Sequence, residues 1–91
     1  AYYLENAALL REALRDNDVP FAGGVCSPYL WLQVPEGYTS WDFFDQMLRK
    51  AQIAATPGAG FGKHGEGYLR LSAFASRETV TEVCHRLWKC F

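Results

Sequence analysis

Tyr68-Leu69-Arg70-Leu71-Ser72-Ala73-Phe74 is the stretch that decides the fold. Its residues alternate, with Leu69, Leu71 and Ala73 on one side and Tyr68, Arg70, Ser72 and Phe74 on the other. That two-residue period marks a strand with one buried face. The leucines define the core side, so the Arg70 guanidinium must emerge on the opposite face, where the core pattern cannot use it. A guanidinium offers five donors in a planar fork that fits a carboxylate bidentately. On the residues alone two readings stay open. Arg70 holds an incoming carboxylate, or it pairs with an internal acid such as Glu66 or is solvated on an open sheet face.

On the N-terminal side of this strand lies a loop with five glycines from Gly58 to Gly67. A phosphate loop fails on spacing. Gly58-Ala59-Gly60-Phe61-Gly62-Lys63-His64 is one residue short of the Walker pattern, and His64 stands where a hydroxyl would meet magnesium. The run also leads into a strand, whereas phosphate loops open a helix whose N-terminus faces the anion. A backbone that turns sharply, close to something else, is the expectation. On the C-terminal side, Ser76 caps a last helix with Glu78 in its first turn. Val80, Val83, Cys84, Leu87 and Phe91 share one side of it.

Further out, residues 1–16 read as a helix, with Tyr3, Ala7, Leu10 and Leu14 as its apolar stripe and Asn17-Asp18 as its break. Val19 to Ala22 is a short apolar piece that runs into Gly23-Gly24. Tyr29 to Val34, bounded by Pro28 and Pro35, is a strand. Ser40 is expected to cap a helix that carries Asp42 in its first turn and buries Phe44, Met47, Leu48 and Ala51. Ile53 to Ala55 is expected as a brief strand, ended by Thr56-Pro57-Gly58. The order is α-β-β-α-β-β-α. It predicts one α/β domain over residues 1–91, an α+β two-layer sandwich whose small sheet carries three helices on one face.

Bulk composition narrows the function classes. The chain has 91 residues, 49% of them hydrophobic and 21% charged, values of a globular fold. Aromatic residues reach 15%, enough that some are expected to face a partner. The net charge is −1 and nine Lys and Arg are scattered, so no basic patch for nucleic acid is expected. No apolar run has the length of a membrane span. Opening at Ala1 in mid-helix, the chain reads as a piece of a longer one. The odd set Cys26, Cys84 and Cys90 fits a reducing compartment better than a disulfide framework.

Other constellations are weak. Cys84 and His85 are neighbours on a helix and diverge, Cys90 lies off their face, and His64 has no partner at a ligand spacing, so no metal site is expected. Ser72, His64 and Glu66 could be assembled as nucleophile, base and orienter only by hand, since no nucleophile elbow frames a serine.

The same residues carry a resemblance. Tyr2-Tyr3, Glu5-Asn6, Gly23-Gly24, Ser27-Pro28-Tyr29-Leu30-Trp31 and Ser40-Trp41-Asp42-Phe43-Phe44 belong to it. So do Thr56-Pro57-Gly58-Ala59-Gly60-Phe61-Gly62 and Gly65-Glu66-Gly67-Tyr68-Leu69-Arg70-Leu71-Ser72-Ala73-Phe74. Over essentially all of its length the chain resembles the C-terminal small domain of fold-type I pyridoxal-phosphate aminotransferases, within them the LL-diaminopimelate group. It departs from that group at Cys26-Ser27, where Asn-Ala commonly precedes Pro-Tyr. The resemblance implies that Arg70 grips the α-carboxylate of an amino-acid or 2-oxo-acid substrate. It also implies a role in lysine synthesis and a homodimeric parent enzyme in a bacterial cytoplasm or a plastid. The resemblance puts pyridoxal 5'-phosphate and the Schiff-base lysine on a large domain upstream. Lys50, Lys63 and Lys89 do not sit in that lysine's motif, so these residues alone are expected to be inactive. The alternative is a non-catalytic interaction or structural module derived from such a domain.

Overall fold

Helix α1 (Tyr2–Asp16) puts Ala7, Leu10, Ala13 and Leu14 into the core, the three- and four-residue spacing expected of one buried stripe. The structure is a computed structural model that describes residues 2–25, 27–53 and 55–91, with the side chains of Tyr2 and Lys63 left aside. The expectations on Ala1, Cys26 and Ala54 therefore lie outside the described residues. Tyr3, the first residue of the expected stripe, is instead 42% exposed, its ring set edge-on to Phe74 at 4.5 Å. The helix ends where the sequence breaks. Asp18 turns to φ 56°, and the Val19 N–H reaches back to the Leu14 carbonyl at 2.9 Å.

Strands β1 (Phe21–Gly23), β2 (Tyr29–Gln33), β3 (Thr56–Pro57) and β4 (Tyr68–Ser72) form one antiparallel sheet in the order β1-β2-β4-β3. Register fixes both faces. Leu30 lies opposite Leu71 and Leu32 opposite Leu69, and all four are buried against the helices. Between them Trp31 faces Arg70 across the ladder, on the other side of the sheet. Helix α2 (Ser40–Ala51) and helix α3 (Arg77–Arg86) complete the helical layer, with Phe43, Met47 and Val80 in the same core as the leucines. The expected order and the one-sided sandwich are both present.

Three local expectations are corrected. Thr39, not Ser40, caps α2: its Oγ1 accepts the Asp42 N–H at 3.1 Å, while the Ser40 side chain turns inward. The buried face of α2 is Ser40, Phe43, Met47 and Ala51, leaving Leu48 exposed and Phe44 only partly covered. Of the strand expected over Ile53 to Ala55, the described residues Ile53 and Ala55 lie outside any strand, and β3 begins at Thr56. Gln52 takes a left-handed conformation at the helix end, and the Ile53 N–H bonds back to the Met47 carbonyl at 3.1 Å. A donor spent on closing a helix cannot also pair in a sheet.

The α3 cap is as expected, with Ser76 Oγ accepting the Thr79 N–H at 3.1 Å. A single-turn helix, Leu87–Cys90, follows α3 and buries Leu87. Phe91, expected on the buried side of α3, is 41% exposed, although its ring still meets Phe43 at 5.1 Å. Among the described residues no helix is long and apolar enough to cross a membrane.

Candidate functional site around Arg70

Arg70 occupies the middle of β4, an interior strand, opposite Trp31 on β2 and Thr56 on β3. The helix-free face at this level is a row of Ala22, Trp31, Arg70 and Thr56. Tyr29 shares the face, two residues along β2 from Trp31, and so lies diagonal to Arg70. The Arg70 Cζ stands over the Tyr29 ring at 4.4 Å and over the Phe61 ring at 4.9 Å. Each ring is braced by a second one. Phe74 meets Tyr29 edge-on at 5.6 Å, and Trp31 meets Phe61 at 5.4 Å. Arg70 is half-buried, and among the described residues no carboxylate or carbonyl accepts a hydrogen bond from its guanidinium.

The internal acid considered for Arg70 is engaged elsewhere. Glu66 accepts the Ser40 N–H at 3.0 Å and the Ser40 hydroxyl at 2.8 Å, and Ser40 Oγ in turn accepts the Ala59 N–H at 3.4 Å. Its carboxylate therefore sits at the N-terminus of α2, where the helix dipole favours a negative charge. This knot fastens the glycine-rich segment to α2. The segment is not a phosphate cradle but two short turns, Gly58–Phe61 and Lys63–Gly65, laid backbone against backbone. A Cβ built on Gly58 would overlap the Gly65 carbonyl oxygen and stand 2.8 Å from that of Tyr68. A Cβ on Gly65 would overlap the Gly58 carbonyl. The sharp turn close to something else is thus a turn close to its own other half, and it carries Phe61 to Arg70.

The remaining candidates do not assemble. Ser72 Oγ accepts the Phe74 N–H at 3.1 Å and Glu66 is held by Ser40. His64 lines a shallow groove of about 440 Å³ with Ala22, Trp31, Gly65 and Tyr68. Cys84 and Cys90 are free thiols. Cys84 points its Sγ at the Leu9 carbonyl, 3.5 Å away. Burial pushes its thiol above the usual range, with Glu12 adding to the effect. Burial does the same to Cys90, partly offset by Lys50. A raised thiol pKa means less thiolate near neutrality. Both cysteines should therefore alkylate with iodoacetamide several-fold more slowly than free glutathione at pH 8, Cys90 also because its side chain is buried. Alkylation as fast as glutathione at pH 8 would contradict this.

The aminotransferase class I and II profile matches residues 1–87 of this chain. The chain belongs to that aminotransferase family. Its fold is similar to that of L,L-diaminopimelate aminotransferase from Chlamydomonas reinhardtii, at 41% identity and a TM-score of 0.90 over 94% of this chain. The aromatic aminotransferase from Pyrococcus horikoshii is 31% identical, with a TM-score of 0.88 over 96% of the chain. A probable N-succinyldiaminopimelate aminotransferase from Thermus thermophilus is 28% identical, with a TM-score of 0.86 over 99%. The chain spans about a fifth to a quarter of the length of these proteins: 21%, 24% and 24%.

Family membership raises the question of a cofactor anchor. Lys50, in the last turn of α2, and Lys89, in the C-terminal turn, are exposed in the helical parts of the molecule, apart from the Arg70 row. Beside Arg70 stand the aromatic Tyr29, Trp31 and Phe61 and the hydroxyl-bearing Thr56, which offer neither an amine nor a phosphate cradle. They do not fit pyridoxal phosphate. Tyr29 and Phe61 as neighbours of Arg70 escaped the reading of the sequence. Tyr29 becomes visible once β2 and β4 are paired in register, whereas Phe61 is brought in by the folded glycine segment, for which no local signal exists.

Proposed function

We propose that this chain is the small domain of a pyridoxal-phosphate aminotransferase of the LL-diaminopimelate type, acting in lysine synthesis, and that Arg70 holds the substrate α-carboxylate. The observation that carries the reading is a half-buried arginine at the centre of the sheet whose guanidinium has no acceptor among the described residues. No buried side-chain N or O among the described residues lacks a partner, so the fork opens to solvent, where a ligand of matching geometry can take its donors. A carboxylate is planar, anionic and bidentate, as both amino-acid and 2-oxo-acid partners of an amino-group exchange are. The family membership and the 41% identity to the algal diaminopimelate enzyme support the same assignment.

In this reading the chain binds and orients one end of the substrate. The electron sink for the exchange comes from pyridoxal 5'-phosphate, held together with its lysine on the large domain of the same enzyme, in a homodimer. The 91 residues by themselves are inactive. Activity measured on the isolated chain with LL-diaminopimelate and 2-oxoglutarate would contradict that division. The reading as a non-catalytic module separates on the intact mass of the native protein. A mature product of only these residues would sink the enzyme assignment.

Arg70→Lys in the complete enzyme replaces a bidentate fork with a point charge. The KM for LL-diaminopimelate should rise roughly 10- to 100-fold, the range of a charged hydrogen bond, with a smaller change in kcat. An unchanged KM would remove Arg70 from the site.

A further inference from the structure

We propose that Tyr29 and Phe61 are positioning residues that hold the Arg70 guanidinium for its ligand, an inference that rests on Arg70 being the carboxylate holder. An arginine side chain is long and has rotamer freedom to lose when it binds. Something must hold it in place beforehand if the ligand is not to bear that cost. An acid would do so, but it would occupy the N–H donors that the ligand needs. Aromatic faces act differently, because they attract the cation through its charge and take none of its N–H groups. At Arg70 that is the arrangement found, with rings at 4.4 and 4.9 Å from Cζ and no acceptor among the described residues.

The two rings also come from supports that do not depend on Arg70. Tyr29 stands on β2 with Phe74 against its edge. Phe61 stands on the glycine segment fastened by Gly58, Gly65 and the Glu66–Ser40 knot, with Trp31 against its edge. Phe61 is 53% exposed, so most of its surface contributes little to the core. A large apolar ring kept in that place does more for the cation than for the fold.

The test uses the complete holoenzyme with LL-diaminopimelate as amino donor. Tyr29→Leu and Phe61→Leu should each raise KM about three- to tenfold with kcat changed less than about twofold, as loss of one cation–π contact predicts. Tyr29→Phe and Phe61→Tyr keep a ring and should recover most of the affinity. In the NMR spectrum, ring currents from Tyr29 and Phe61 should move the Arg70 side-chain protons upfield, and each leucine variant should lose part of that displacement. A KM unchanged in both leucine variants, while Arg70→Lys raises it, would overturn the positioning role and leave the carboxylate reading intact. An Arg70→Lys variant with unchanged KM would overturn the reading beneath. Failure of the ring-keeping variants to recover affinity would assign the rings to packing. If Tyr29→Leu does not fold, Phe61→Leu decides alone, since its exposed ring can be removed with little strain.

Discussion

Gly65→Ala is expected to lower the unfolding free energy of the domain by about 3 kcal/mol in urea titration, the top of the usual range for overpacking. The cause is a backbone-to-backbone approach that no side-chain rotation can relieve. The new methyl would be driven into the Gly58 carbonyl oxygen, with the Gly58 Cα only 3.1 Å away. Either the two short turns separate or the Glu66–Ser40 knot opens, and both lose contacts already made. Small domains have total stabilities of about 5–15 kcal/mol, so the effect removes a large part of what holds the fold. Gly60→Ala is the internal control. It lies in the same segment, yet an added Cβ there meets nothing within 4 Å. The change should be neutral, or stabilise by up to about 1 kcal/mol through the unfolded chain. Equal losses at both positions would mean that the close approach is not what the segment depends on.

The second large effect is Asn6→Leu, with an expected loss of about 3–4 kcal/mol. Asn6 is fully buried, and its amide donates to the Ala73 carbonyl at 3.2 Å and to that of Ala75 at 2.9 Å. Its Oδ1 accepts the Arg77 Nε–H at 2.6 Å. One side chain thus ties α1 to the end of β4 and to the start of α3. A leucine of similar volume deprives the Ala75 carbonyl and the Arg77 Nε–H of this partner, at about 1–3 kcal/mol for each group left unsatisfied, while the Ala73 carbonyl keeps the Ala75 N–H at 2.9 Å. Burial of the added apolar surface offsets part of that. Glu5→Ala should move stability by less than about 1 kcal/mol, because the Glu5–Arg77 pair at 3.0 Å is solvent-exposed on the Glu5 side. A loss below 1 kcal/mol for Asn6→Leu would show that water replaces the amide freely.

The residues that could be read from the sequence are those whose roles depend on near neighbours. Leu69, Leu71 and Ala73 identify the core side of β4, and Ser76 identifies the start of α3, because strand alternation and helix capping act over one to three residues. Thr39 and Ser40 show where that stops. Two hydroxyls stand side by side, either able to cap α2, and the choice is made by Glu66, 26 positions along the chain. The same pairing turns Glu66 away from Arg70, since its two oxygens are each held by a Ser40 donor and neither makes an ion pair with the guanidinium. Ile53 reads as a strand residue by type, but the left-handed Gln52 before it commits its N–H to the helix end. At the candidate site, Arg70 follows from alternation alone. Its aromatic company needs the β2–β4 register and the folded glycine segment, which are set by contacts distant in sequence.

The sheet order has one more bearing. Its outer strands, β1 and β3, are three and two residues long, and β3 contains Pro57, which has no N–H to offer. Edges so short give an approaching chain almost no ladder to extend, which guards against strand-by-strand aggregation. The long strands β2 and β4 lie inside, five residues each. A second body therefore gains little by adding a strand to the side of this sheet.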